Sequence, residues 1–187
     1  MISIRNAKLK DLRRSSEIYV DSWRNTYRGM IADEYLDGMT YEHASDHLRA
    51  YITEPSMRLF VAANDKDDPV GILACSLYTE IPDCGILDVL HISGPYKGEG
   101  IGTDLVKCCA AYMLDHGCTK MGVDVVTQNI KAIKFYKHTG AENYERYMDI
   151  FDGIGIDSLI MMWYDLEGVA EIETKNNYDV MLQEAAV

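Results

Sequence analysis

The stretch LDVLHISGPYKGEGIGTDL, residues 87–105, decides the fold of this chain. It begins with apolar residues typical of a strand, passes through a loop with glycines at 98, 100 and 102, and ends as the start of an amphipathic helix. Glycines let backbone N–H groups approach a ligand closely, and the first turn of a helix offers further N–H groups at the positive end of its dipole. The pattern indicates a phosphate site.

Spacing separates three kinds of phosphate loop. A Walker A loop ends in Gly-Lys-Ser/Thr, whereas Gly102 is followed by Thr103 and Asp104. The dinucleotide pattern Gly-x-Gly-x-x-Gly also fails, because Thr103 stands where the third glycine, counted from Gly98, should be. The sequence therefore argues against both nucleotide loops and leaves the order Lys97-x-x-Gly100-x-Gly102.

That order resembles the pyrophosphate loop of the GNAT superfamily of acetyl-CoA-dependent N-acetyltransferases, usually written Arg/Gln-x-x-Gly-x-Gly/Ala. Lys97 departs from the commonest first residue of that loop but keeps the positive charge. A second segment, KMGVDVVTQNIKAIKFYKHTGA at 120–141, carries the same resemblance, because it indicates a strand followed by a short helix. The family phrase Asn-x-x-Ala-x-x-Phe-Tyr-x-x-x-Gly-Ala is matched at Asn129, Ala132, Phe135, Tyr136, Gly140 and Ala141. The resemblance covers about residues 1–166 and is specific at 87–141.

The resemblance implies an α/β (α+β) fold with a mixed, mostly antiparallel central sheet, splayed between the fourth and fifth strands, and helices on both faces. It also implies acetyl-CoA as cofactor, with its pantetheine arm in the splay. The residues expected to contact it are Leu90, His91, Ile92, Lys97, Gly98, Glu99, Gly100, Ile101, Gly102, Thr103, Asn129, Ala132 and Tyr136. We expect one acetyltransferase domain over residues 1–166 and an acidic extension over 167–187.

Hydrophobic periodicity and turn residues place the elements around these two segments. They predict strands near residues 2–5, 58–63, 70–78, 85–92, 120–126, 144–150 and 158–164. They predict helices near 11–23, 41–52, 101–116 and 129–140, with Thr40 as a cap and Gly117 as a stop. A loop or short helix is expected across 27–39.

Acyl transfer to an amine sets two chemical requirements. A primary amine such as lysine has a pKa of about 10.4, so at neutral pH it must lose a proton before it can attack a thioester. A leaving thiol, with an ordinary pKa of about 8.5, departs more readily when a donor protonates it. By the resemblance, Tyr136 is the expected general acid, and a backbone N–H near Leu90 would polarise the thioester carbonyl.

The general base is less sharply indicated. Strict strand alternation puts Ile86, Asp88, Leu90 and Ile92 on one face, so Asp88 is a carboxylate among apolar neighbours that must be paired, hydrogen-bonded or functionally placed. We expect Asp88 to act as base or as relay through water. His91, Glu80 and a chain of water molecules stay open as alternatives.

The acceptor pocket follows only from the walls that the family uses. These are the first two helices and the strands before the glycine loop, and they point to Trp23, Tyr27, Glu34, Tyr35, Glu80 and Asp83. The two aromatics Trp23 and Tyr27 could equally pack the first helix onto the sheet. If the carboxylates face the pocket, the acceptor is an amine, either a small molecule or a peptide N-terminus.

Composition limits the function further. The chain has 187 residues, 48% of them hydrophobic, and a net charge of −12, which suits one domain and argues against nucleic acid as a partner. No apolar run is long enough for a membrane helix, and the first residues lack the apolar core of a signal peptide, so we expect a cytoplasmic protein without a membrane partner. The five cysteines form no C-x-x-C pair and are expected to be reduced thiols.

Two segments outside the family motifs, and one alternative function, complete the sequence predictions. His43 and His47 share a helix face, but Ala44 replaces the glutamate that the zincin pattern needs, so we expect a solvated face and no metal site. The tail 165–187, with six acidic residues and one lysine, suits either a docking element, which could pack on a second copy in a homodimer, or a disordered end. The alternative to an enzyme is a non-catalytic GNAT-fold module that binds acyl-CoA.

Overall fold

The computed structural model describes residues 2–77, 80–151, 153–173 and 180–181. Its strands are β1 Ser3–Asn6, β2 Met57–Ala63, β3 Pro69–Ser76, β4 Cys84–Ile92, β5 Lys120–Val126, β6 Glu142–Phe151, β7 Ile154–Trp163 and β8 Val180–Met181. Its α-helices are α1 Leu12–Thr26, α2 Asp33–Gly38, α3 Tyr41–Thr53, α4 Ile101–Asp115, α5 Ile130–His138 and α6 Leu166–Ala170. Within the described residues the strands form one sheet in the order β6-β7-β5-β4-β3-β2-β1-β8.

The sheet is mixed, mostly antiparallel and covered on both faces. The pairs β4–β5 and β1–β8 are parallel, and the other neighbouring pairs are antiparallel. Neighbouring residues of β2 belong to two separate cores: Phe60 packs with α4, whereas Leu59 and Val61 pack with α1 and α3. This two-sided burial explains why β2 is apolar from Leu59 to Ala63 instead of alternating. The predicted fold class is confirmed.

Local residues account for several element ends. The Thr40 hydroxyl accepts a hydrogen bond from the His43 N–H at 3.2 Å, so Thr40 caps α3 as predicted. Gly117 follows α4 at φ +80°, a conformation that ends helices and that favours glycine. The helix predicted near 41–52 is α3, which ends at Thr53.

The described parts of the tail attach to this domain. Leu166 and Val169 of α6 are buried in the core beside α4, and β8 pairs with β1 through Ile4–Val180 and Arg5–Met181. The predicted strand at 70–78 ends at Ser76, and residues 78 and 79 lie outside the described residues, as do 174–179 and 182–187. The division at residue 166 stays a prediction.

Candidate active site

Two irregularities in the centre of the sheet shape the site. The parallel pairing of β4 with β5 runs from Cys84–Lys120 to Leu87–Val123 and ends there, although both strands continue. Beyond that point β4 stays with β3 and β5 stays with β7, so the sheet opens between the two strands. The expected splay between the fourth and fifth strands is therefore present.

A β-bulge lies where the strands part. Ala74 of β3 faces Val89, but its neighbour Cys75 faces Leu87, which leaves Asp88 as an extra residue of β4. Leu87 consequently packs in the core beside α4, and Val89 packs in the core beside α1 and α3. The alternation predicted for residues 86–92 was wrong for this reason: it placed Leu87 and Val89 on the same face.

Asp88 is the extra residue of the bulge, and its side chain is exposed. The surrounding protein nevertheless removes enough water to raise the pKa of Asp88 to about 6. The side chains of Ser76 and Tyr51 are hydrogen-bonded to the carboxylate and act in the opposite direction. Asp88 is therefore a hydrogen-bonded carboxylate that exchanges its proton close to neutral pH, as a general base must.

The glycine loop has the backbone that a phosphate group needs. Gly98 and Gly100 both lie at φ +85°, and Gly100 is the N-cap of α4. The first N–H groups of a helix point out of its N-terminus, so those of Ile101, Gly102 and Thr103 face the loop. A Cβ on Gly102 would come within 3.3 Å of the Phe135 ring, which joins the two sequence segments physically.

A groove of about 170 Å³ runs beside this loop and α1. Its walls include Ile92, Gly94 and Lys97 from the loop side and Arg14 and Asn25 from α1. Two cations, Arg14 and Lys97, border the groove together with the carboxylate of Asp21, and Arg14 also forms an ion pair with Glu17 at 2.8 Å. The N-terminus of α4, which attracts anions, follows Lys97 along the chain. The residues present fit the pyrophosphate of acetyl-CoA, and Arg14 is a candidate that the sequence patterns did not single out.

Asn129 and Tyr27 meet on the other side of the splay. Asn129 is buried, and its side-chain oxygen accepts a hydrogen bond from the Ala132 N–H at 3.2 Å, which caps α5. The Tyr27 hydroxyl is hydrogen-bonded to the Asn129 side chain. The Tyr27 ring packs on Trp23 with centroids 4.7 Å apart, so α1 reaches the start of α5 through these two aromatics.

Tyr136 is 8% exposed and lies near this group. Its ring packs edge-on against Trp163 at 5.6 Å and against Phe135 at 5.4 Å. Burial, and secondarily the nearby Tyr27, raise the pKa of Tyr136 above its ordinary value. Tyr136 therefore carries its proton at neutral pH and can offer it in a hydrogen bond to a leaving sulfur, while its raised pKa makes it a weaker acid than an ordinary tyrosine.

Asp124 is a second carboxylate at the splay, and the sequence patterns did not indicate it. It follows Val123, the last residue of β5 that pairs with β4, just as Asp88 follows Leu87. The pKa of Asp124 is raised, chiefly by partial burial, while a hydrogen bond from Tyr147 opposes the shift. Pairing register, rather than any local motif, places each of these carboxylates one residue beyond the last β4–β5 pair.

The remaining residues that the sequence predicted for the site do not join the group around Asp88, Asn129 and Tyr136. His91 packs on Tyr19 of α1 at 5.5 Å, and burial together with the Lys97 charge lowers the pKa of His91, so it is a weak base. Leu90 and Ile92 pack toward the opposite face. Asp83 precedes β4 at the paired end of the strands, five strand residues or about 17 Å from Asp88. Glu34, Glu99 and Glu80 are exposed.

No group of three or more His, Cys, Asp or Glu side chains in the described ranges could hold a metal ion. Within the same ranges, no helix combines the length and the apolar character needed to cross a membrane.

The splayed sheet and the glycine loop before α4 are together the features expected of a protein that binds an acyl-CoA. The chain belongs to the GNAT acetyltransferase family: the family model described as "Acetyltransferase (GNAT) family" matches residues 17–141. Acetyl-CoA is the cofactor of that family, which confirms the expected cofactor.

Individual relatives agree with this membership. The chain is 26% identical over 171 residues to the uncharacterized N-acetyltransferase YuaI of Bacillus subtilis, covering 90% of this chain and 96% of the relative. It is 31% identical over 147 residues to the peptidyl-lysine N-acetyltransferase YjaB of Salmonella typhimurium, covering 75% and 83%. The PaiA N-acetyltransferase of Thermoplasma acidophilum, solved with coenzyme A, has a TM-score of 0.70 at 21% identity, covering 88% of this chain and 99% of that one. This last likeness concerns the fold.

Proposed function

We propose that the protein transfers an acetyl group from acetyl-CoA to the primary amine of a small molecule or a peptide N-terminus, by direct attack in a ternary complex. The observation that carries this proposal is the pair of proton-transfer groups at one splay. Asp88, with a pKa of about 6, lies at the start of the splay, and the protonated, buried Tyr136 follows the other strand. The peptidyl-lysine relative, whose name specifies an amine acceptor, supports the same class.

Residues of the groove and of the glycine loop would bind the donor, acetyl-CoA. Arg14, Lys97 and the α4 N-terminus would bind the pyrophosphate, and the side chain of Asn129 and the backbone of Leu90 and Ile92 would orient the arm. Bound acetyl-CoA supplies an activated thioester at the splay. The backbone N–H near Leu90 would polarise its carbonyl.

Protons then move between named groups. Asp88 accepts a proton from the bound ammonium, directly or through water, and frees the lone pair of the nitrogen. The nitrogen forms a bond to the carbonyl carbon, the carbon–sulfur bond breaks, and Tyr136 gives its proton to sulfur. Over the reaction the nitrogen loses two protons: the first passes through Asp88 to solvent, and the second, lost as the amide forms, replaces the proton that Tyr136 gave to the sulfur.

Release of free thiol in the presence of an amine panel tests this function. The panel should contain polyamines, aminoglycosides, amino acids and peptides with free N-termini, each with acetyl-CoA. The five cysteines of the chain are buried, which favours a low background with a thiol reagent on the folded protein. We expect at least one amine to be turned over. Binding of coenzyme A with no thiol release across the panel would instead favour the non-catalytic module.

A further inference from the structure

Tyr27 follows the last residue of α1, and its backbone is held on both sides. Its N–H donates to the Trp23 carbonyl at 2.9 Å, and its own carbonyl accepts from the N–H groups of Met30 and Ile31 at 2.8 and 3.0 Å. The Tyr27 ring packs on Trp23 with centroids 4.7 Å apart. The Tyr27 hydroxyl therefore extends from a fixed point at the end of α1 to the start of α5, where it is hydrogen-bonded to the Asn129 side chain.

The Asn129 amide has two partners within the protein. Its oxygen accepts a hydrogen bond from the Ala132 N–H at 3.2 Å. The hydrogen bond with Tyr27 opposes the rise that burial causes in the pKa of Tyr27, which is the effect of an amide N–H that donates to the phenol oxygen. Because the oxygen and the nitrogen are both engaged, the amide is held in one of its two flipped orientations.

The bonding capacity left to the Asn129 amide is that of an amide partner. A side-chain amide has two N–H donors and two acceptor lone pairs, and these two internal bonds use one of each. They leave one N–H and one lone pair, which complement the C=O and the N–H of an amide group in the pantetheine arm of coenzyme A. Asn129 is 7% exposed, so bulk water is poorly placed to replace a lost partner, and an unpaired amide N–H would be costly there.

The neighbours of the Tyr27 hydroxyl belong to the cofactor side of the site. Burial is the main cause of the raised pKa of Tyr27, and the charge of nearby Asp124 adds to it. Tyr27 in turn contributes, after burial, to the raised pKa of Tyr136. The hydroxyl thus lies near residues of β5, which flanks the splay, and of α5, which follows it. The sequence offered two roles for Tyr27, a contact with the acceptor and packing of α1 on the sheet, and the hydrogen bond to Asn129 indicates a third.

We propose that Tyr27 is a positioning residue for the cofactor: its hydroxyl holds the Asn129 amide in the orientation that binds the pantetheine arm of acetyl-CoA. Tyr27 acts through Asn129 and does not itself touch the reacting atoms. This role goes beyond the function proposed above, which gives Tyr27 no part, and it does not depend on which amine accepts the acetyl group.

A double-mutant cycle on coenzyme A affinity tests the proposal without turnover. Tyr27→Phe keeps the ring on Trp23 and removes only the hydroxyl, whereas Asn129→Ser keeps an oxygen that can cap α5 but removes the amide N–H groups. We expect Tyr27→Phe to raise the calorimetric Kd of coenzyme A about three- to tenfold in wild type, the range for one neutral hydrogen bond, and less than about twofold in Asn129→Ser. Tyr19→Phe is the matched control, because the Tyr19 ring packs on Trp23 from the preceding turn of α1, and it should leave the Kd within about twofold.

An unchanged Kd in Tyr27→Phe overturns the proposal, and so does an equal loss in both backgrounds, which would mean that Tyr27 acts without Asn129. A second measurement needs only the single variant and an amine that is turned over. In Tyr27→Phe, KM for acetyl-CoA should rise by about the same factor as the Kd, while kcat and KM for the amine stay within about threefold. A raised amine KM with unchanged coenzyme A affinity assigns Tyr27 to the acceptor instead and overturns the proposal. Coupling in the cycle with no acetylation of any amine supports the positioning role and contradicts the acetyltransferase function.

Discussion

Replacing Asp88 by Asn should change the shape of the pH profile of kcat/KM for an amine, and not only its height. The pKa of Asp88 is about 6 because the surrounding protein withholds water from its charged form. If Asp88 accepts the proton of a bound ammonium, the active enzyme is the one with Asp88 ionised. kcat/KM should then rise about tenfold per pH unit below pH 6 and level off above it, with roughly nine-tenths of Asp88 ionised at pH 7.

The variant loses this plateau. With Asn at position 88 there is no carboxylate to take the proton, so only an amine that is already neutral attacks. The neutral fraction of an amine with a pKa of about 10.4 rises about tenfold per unit from pH 5 to 9, and kcat/KM should follow it without a break. At pH 7 the loss should be about 10²-fold to 10⁴-fold, the usual contribution of a general base.

Thiol release at saturating acetyl-CoA, measured from pH 5 to 9, gives the two profiles, and circular dichroism checks that both proteins are folded. Asp124→Asn is the matched control, because Asp124 also lies at the splay with a raised pKa. We expect this control to keep the break near pH 6. If Asp88→Asn keeps the plateau and the break, the reasoning is refuted, and if Asp124→Asn removes them, the base is Asp124.

Three other changes have defined outcomes. Tyr136→Phe removes only the hydroxyl and should lower kcat about 10²-fold while calorimetric coenzyme A affinity stays within threefold; an unchanged kcat excludes Tyr136 as the acid. Gly100→Ala forces a side chain to φ +85° and should lower the free energy of unfolding in urea by about 1 to 2 kcal/mol and weaken coenzyme A binding. Asp11 is 3% exposed and accepts two hydrogen bonds from Arg5 at 2.8 and 3.0 Å; because Arg5 keeps its ion pair with Asp67, Asp11→Asn should cost about 1.5 to 3 kcal/mol in the same urea assay.

Most elements could be predicted because their causes are local. The strand predicted at 120–126 is Lys120–Val126, and the helix predicted at 101–116 is Ile101–Asp115. Alternating apolar residues, a capping threonine and glycines after helices all act within a few residues of the structure they determine. The same holds for the cofactor loop, whose glycines determine its backbone directly.

The acceptor side could not be predicted in the same way, because its causes act between strands and helices. The bulge at Asp88 appears only when β4 is aligned with β3, since alternation within β4 gives no sign of an extra residue. Asp124 reaches the splay through its register with β4. A cavity of about 440 Å³ among α1, α2 and α3 is lined by residues of separate segments, so no single local pattern marks it.

The two family segments pack closely against each other where Gly102 meets Phe135, and this contact limits the distance between them. A Cβ at position 102 would lie 3.3 Å from the Phe135 ring, a distance that requires the ring to yield by a few tenths of an ångström. A residue no larger than alanine is therefore tolerated there, which matches the Gly/Ala of the family loop. Because Phe135 precedes Tyr136 on α5, this close approach also sets how far the proposed acid lies from the N-terminus of α4. Gly102 thus acts through helix packing, whereas Gly98 and Gly100 act through their left-handed backbone.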